Sequence, residues 1–210
     1  MISIRSVTDL KVSFPEGVNN AINKEIEEHV EKMQESKAFY AKKRNTSPEK
    51  AQEDMFLGKK AEFFAVQALV GEYKFPLVKP DLNIYTRAQK GWSPDLPFNK
   101  ANKDYPDAHV KSCSGKTYDM CNDYSWTWNF KNNDNDYGKD DLFKNFKSHD
   151  LIVLVFIDKP QNNEAVIKAI LPWRIASTYL ADPIKFKLLG LKKCLYCKTL
   201  VANKENIVSI

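Results

Sequence analysis

The stretch Asp107-Ala108-His109-Val110-Lys111-Ser112-Cys113 carries a carboxylate, an imidazole and an ammonium at alternating positions. In a strand, Asp107, His109 and Lys111 share one face, while Ala108, Val110 and Ser112 share the other. Burying an unpaired charge is costly, so such a face is either the polar outside of an edge strand or part of a site. Two acids upstream extend the pattern. Asp95 follows Pro94 in Trp92-Ser93-Pro94-Asp95-Leu96 and is expected to start a strand that returns toward Lys111. Glu62 lies in Gly58-Lys59-Lys60-Ala61-Glu62-Phe63, where its helical neighbours are Gly58, Ala65, Val66 and Leu69. A glutamate on an apolar stripe is a site residue, or sits at the stripe's edge paired with Lys59. Together these groups suit metal-assisted phosphodiester hydrolysis. Carboxylates hold the cation, and a lysine orients the attacking water or stabilises the phosphorus centre. Mg2+ keeps several waters, so one or two carboxylates suffice.

The order of a helix with Gly…Ala-Glu, then Pro-Asp, then x-x-Lys on a strand resembles the PD-(D/E)XK nuclease superfamily, over about residues 55–172. The resemblance implies a restriction-endonuclease-like α/β (α+β) fold, a mixed four- or five-stranded sheet flanked by helices. It implies that Asp95 is the principal metal ligand, Lys111 the motif lysine and Glu62 the helix acid. It also implies a metal-dependent DNA endonuclease of restriction, phage or homing type, using Mg2+ or Mn2+. The chain departs from the pattern at His109, where the family has Asp or Glu. An imidazole binds Mn2+, Zn2+ or Fe2+ well and Mg2+ poorly. Three readings stay open. His109 is a ligand in a variant site, Asp107 supplies the missing carboxylate, or the site is degenerate and the fold only binds DNA. Pro80-Asp81 and Pro106-Asp107 compete with Pro94-Asp95; Asp95 is preferred and Asp81 is second.

The elements expected to position these groups begin with a helix over about 19–44, with Ile22, Ile26, Val30 and Met33 on one face. Ser47-Pro48 opens a second helix that runs to about Gly71. Strands are expected at about 82–87, 107–114, 124–130, 151–157 and 164–171, with a short helix near Asp140–Phe146 and a helical tail. Residues 1–48 read as a helical segment packed on a core at 49–175, and 176–210 as a C-terminal extension. Trp126 and Trp128 read as sheet packing, and His29 and His149 as ordinary structural or surface residues.

The net charge of +5 fits a nucleic-acid partner without requiring one. Lys59, Lys60, Arg87, Lys90, Lys100 and Lys103 are the residues expected to line a DNA duplex. A twofold homodimer is the ordinary state for cutting palindromes. No apolar run approaches the roughly 18 residues of a membrane span, and no secretory leader is visible, so a cytoplasmic protein is expected. Cys113 and Cys121, with Cys194 and Cys197 in a C-x2-C pair, are either thiols or the four ligands of a structural Zn2+. There is no Gly-x-Ser-x-Gly elbow, which disfavours an acyl hydrolase.

Overall fold

In the computed structural model, the described residues are 7–33, 38, 41, 46–83, 93–114, 125–129, 146–184, 189, 192–203 and 207. The most apolar run, Leu151-Ile152-Val153-Leu154-Val155-Phe156, forms β4 and is buried along its whole length. A strand covered on both faces reads as continuous hydrophobic sequence rather than alternation. Leu151, Val153 and Val155 pack into one core, and Ile152 and Leu154 into a second. The chain therefore builds two layers of packing on opposite faces of one sheet.

That sheet holds β1 (Val7–Ser13), β2 (Ala108–Cys113), β4 (Leu151–Phe156) and β5 (Glu164–Pro172) in the order β1-β5-β4-β2. β2 runs parallel to β4, and the β4–β5 and β5–β1 pairs are antiparallel, so the sheet is mixed. On the first face lie α1 (Glu16–Lys32) and α2 (Pro48–Tyr73). Ile22, Ile26 and Val30 of α1 and Leu57, Ala61, Phe64, Ala65 and Leu69 of α2 fill this core. On the second face lies a two-stranded sheet of β3 (Ser125–Asn129) and β6 (Lys192–Tyr196). The short helices α4 (Trp173–Ala176) and α5 (Cys197–Ala202) supply Trp173, Ala176, Cys197 and Leu200 to the same core. A one-turn helix, α3 (Phe98–Ala101), precedes β2.

Local chemistry explains the boundaries of α2. The Ser47 hydroxyl accepts from the Lys50 N–H at 3.1 Å, and Pro48 occupies the first turn, where no N–H is needed. At the other end Lys74 enters the left-handed region (φ 59°), and the Phe75 N–H donates back to Leu69 at 3.1 Å. The expected helix from Ser47-Pro48 to about Gly71 thus ends two residues further on.

Several expectations need correction. The first helix stops at Lys32, with Met33 as its cap, rather than continuing to 44 as one element; residues 34–37 and 42–45 lie outside the described set. The first 48 residues are not purely helical, because β1 pairs with β5 and completes the sheet. The tail is not purely helical either, since Lys192–Tyr196 pairs with β3. The expected strand at 82–87 and the short helix at 140–146 fall mostly on residues outside the described set.

Candidate functional site

Asp95 does not start a regular strand. It precedes a single antiparallel bridge in which Leu96 and Ala108 exchange two backbone bonds of 3.0 Å. β2 is the last strand of the four-stranded sheet on this side, so the Val110 N–H faces outward from the ladder. The Asp95 carboxylate accepts it at 2.8 Å. A side-chain oxygen here replaces a strand partner, which fixes Asp95 against the backbone one residue before Lys111.

Glu62 comes to the same place from α2, the helix that packs on this face of β2. Its side chain is only 8% exposed, and both oxygens meet the Lys59 ammonium, at 2.9 and 3.0 Å. Burial pushes its pKa up to about 8. Lys59 opposes that rise, while the negative charges of Asp95 and then Asp81 add to it. Glu62 and Asp95, 33 positions apart in the chain, are thus close enough to repel. Asp81, the second choice among the Pro-Asp pairs, belongs to the same neighbourhood.

His109 goes elsewhere. It is 3% exposed, its Nε2 lies 3.5 Å from the Asp150 carboxylate, and its ring stacks on Phe146 at 4.0 Å. Asp150 also accepts the Lys147 N–H at 2.9 Å. Burial raises the Asp150 pKa, but the bonds from His109 and Lys147 outweigh it and leave the group below its ordinary value. The strand register accounts for this placement. Ala108 and Val110 join the core beneath α2, so the alternate residues His109 and Lys111 face the second core, opposite Ile152 and Leu154 of β4. Asp107 is used by α3, where it accepts the Asn99 N–H at 2.9 Å. Glu62 thus feels the charge of Asp95 while its own contact is with Lys59, and His109 has a partner of its own. Lys111, half-buried, lies on the strand edge next to the residue that Asp95 clasps.

Among the residues expected to meet DNA, Lys100 and Lys103 are exposed, and Lys59 is taken up by Glu62. Lys60 is a correction. It is fully buried, its Nζ donates to the Pro160 carbonyl at 2.6 Å, and the Phe56 and Phe64 rings lie about 6 Å away. Burial pulls its pKa down to about 8. Arg87 and Lys90 lie outside the described residues, as does Cys121. Cys113, Cys194 and Cys197 take part in no disulfide among the described residues. Among the described residues no group of three His, Cys, Asp or Glu side chains is placed to hold a metal ion, and no helix is long and apolar enough to cross a membrane.

Sequence reasoning missed Asp150. Its role follows only from the parallel register that sets Ala108 opposite Leu151, a pairing across 43 positions that no local pattern encodes. Comparison with family profiles, curated proteins and solved structures finds no match to the chain.

Proposed function

We propose that the chain is a metal-dependent DNA endonuclease with a restriction-endonuclease-like core. The observation that carries this reading is a buried acid, Glu62, that feels the charge of Asp95, whose own carboxylate is fixed at the edge of β2. A buried Glu62 whose ionisation the Asp95 charge makes costlier gains from a nearby cation, and carboxylate donors suit Mg2+ or Mn2+. Bound there, such a cation supplies an activated water and positive charge for the phosphate oxygens. Asp95 is held against the strand by the Val110 N–H, and Glu62 would have to give up Lys59 to take part. Lys111 starts from the face of β2 opposite α2, so its long side chain has to reach round the open edge of the sheet to steady the scissile phosphate beside Asp95. Exposed Lys100 and Lys103 lie in and just after the one-turn helix that follows Asp95 and suit contact with the DNA backbone.

Plasmid digestion with Mg2+ or Mn2+ tests the proposal. Asp95→Asn and Lys111→Ala are each expected to reduce cutting by about a hundredfold or more while leaving circular dichroism unchanged. Full activity in both variants refutes the assignment. A second reading, a DNA-binding module without chemistry, is favoured by one observation. His109 stands where the resemblance expects an acid, and it is engaged by Asp150 and Phe146. That reading predicts DNA binding with no cleavage under any metal.

A further inference from the structure

The net charge of +5 is concentrated in one stretch of the chain. Of 32 Lys and Arg, five (Lys185, Lys187, Lys192, Lys193 and Lys198) fall in residues 184–203, which hold no Asp or Glu; the rest of the chain carries 27 residues of each sign. The same stretch holds three of the five large hydrophobic side chains exposed among the described residues: Ile184 (76%), Leu189 (44%) and Val201 (50%). Exposed apolar side chains scattered singly need no explanation, but these coincide with the whole surplus of positive charge.

The fold presents these groups on a braced surface. Ala181 and Cys194 exchange two backbone bonds of 2.8 Å, so the chain leading to Ile184 lies along β6. Pro183 is buried, and the Tyr196 hydroxyl accepts the Ile184 N–H at 2.8 Å while donating to the Asp182 carbonyl at 3.2 Å. Ile184 therefore projects from an anchored backbone. The Lys198 ammonium lies 5.7 Å from the centre of the Tyr196 ring. Val201 follows Lys198 by three positions in α5, on the same side of that helix. Ile184, Lys198 and Val201 thus share the surface around Tyr196. Asp182, just outside the basic stretch, holds Lys193 at 2.8 Å. The surface belongs to the layer on the second face of the four-stranded sheet, whereas Glu62 stands on α2 on the first.

We infer that the surface of Ile184, Lys198 and Val201 docks the chain on a membrane with anionic headgroups. Its lysines meet the lipid phosphates and carboxylates, and its aliphatic side chains enter the boundary between headgroups and acyl chains. Lysines alone would serve a nucleic acid equally well, since both partners are polyanions. The exposed aliphatic groups decide between them. A DNA backbone offers nothing to Ile184 and Val201, whereas a membrane interface gains from their burial. The contact is peripheral, made by a strand, a strap and a short helix that lie on the bilayer surface. It goes beyond the nuclease reading and does not depend on it.

The test sediments the full chain with vesicles of phosphatidylcholine, alone or with added phosphatidylserine, at low and high salt, beside a titration of a short DNA duplex. Binding to the anionic vesicles is expected, and it should weaken with salt. Lys198→Gln should weaken it by about fivefold. The Ile184→Gln/Val201→Gln double variant should weaken it by about tenfold or more and leave DNA affinity unchanged. These side chains are exposed, so circular dichroism should match the wild type; if the double variant fails to fold, Ile184→Gln alone gives the same reading. No binding to anionic vesicles, equal binding to neutral ones, or full binding by the aliphatic variant overturns the inference. Loss of DNA affinity in Lys198→Gln without any vesicle binding assigns the surface to nucleic acid and overturns it as well.

Discussion

Replacing Glu62 with glutamine isolates the electrostatic cost at the centre of the site. In the folded chain Glu62 titrates near pH 8, raised from 4.5 first by burial and then by Asp95 and Asp81, against Lys59. Between those two pH values the folded protein holds a proton on Glu62 that the unfolded chain has released. Stability therefore falls as pH rises through this window. The gap between 4.5 and about 8, at ~1.4 kcal/mol per pH unit, sets a ceiling of roughly 5 kcal/mol on the loss. Glu62→Gln keeps the shape and cannot ionise, so it should be close to wild type at pH 5 and more stable by a few kcal/mol at pH 8.5. Loss of the half-screened bond to Lys59 subtracts less than about 1 kcal/mol from that gain. Urea unfolding of both proteins at pH 5, 7 and 8.5, in EDTA, measures the difference. Parallel stability curves for wild type and Glu62→Gln would refute the reasoning, because they would mean that Glu62 ionises at no special cost. Adding Mn2+ at pH 8.5 should then stabilise the wild type and leave the variant nearly unmoved.

The remaining predictions concern groups that the fold buries. Lys60 titrates near pH 8 in the folded chain, below its ordinary 10.5, so stability should rise with pH between those values; Lys60→Met should flatten that rise without unfolding the protein, as denaturant midpoints at pH 7 and 9.5 would show. Asp150→Ala strands His109 Nε2 and the Lys147 N–H, and should lower stability at pH 7 by about 1–3 kcal/mol in urea titration. An unchanged midpoint would mean that the His109–Asp150 contact carries no weight.

How far the sequence alone reaches depends on the range of the interaction. Ser47-Pro48 announces α2 because a side-chain cap and a proline act within one turn. The apolar run 151–156 announces a buried strand because both of its faces must be covered. The alternation of β2 correctly separates His109 and Lys111 from Ala108 and Val110, as the two cores show. It leaves open what meets each face, since that depends on which strand lies alongside. The polar face at His109 is closed by Asp150 and Phe146 instead of water, through a parallel pairing with no local signature. β1 has mixed polar and apolar residues and a positive-φ residue, Asp9, at its bulge, so no period marks it as a strand. Lys60 looks like any helix-surface lysine until the turn at Pro160 supplies an acceptor 100 positions away. Glu62 on its apolar stripe is buried and paired with Lys59, the partner its helical spacing offers. His29, expected to be an ordinary structural or surface residue, is buried and bonded to the Leu82 carbonyl, a partner 53 positions away that no local pattern encodes.

The most direct measurement is single-turnover cleavage of supercoiled DNA by metal-free protein to which Mg2+ or Mn2+ is restored, comparing wild type with a Glu62→Gln/Asp95→Asn double variant. The account predicts nicked or linear product only when metal is present, and none from the double variant although it remains folded. Metal-independent cutting, or equal cutting by the double variant, would contradict it.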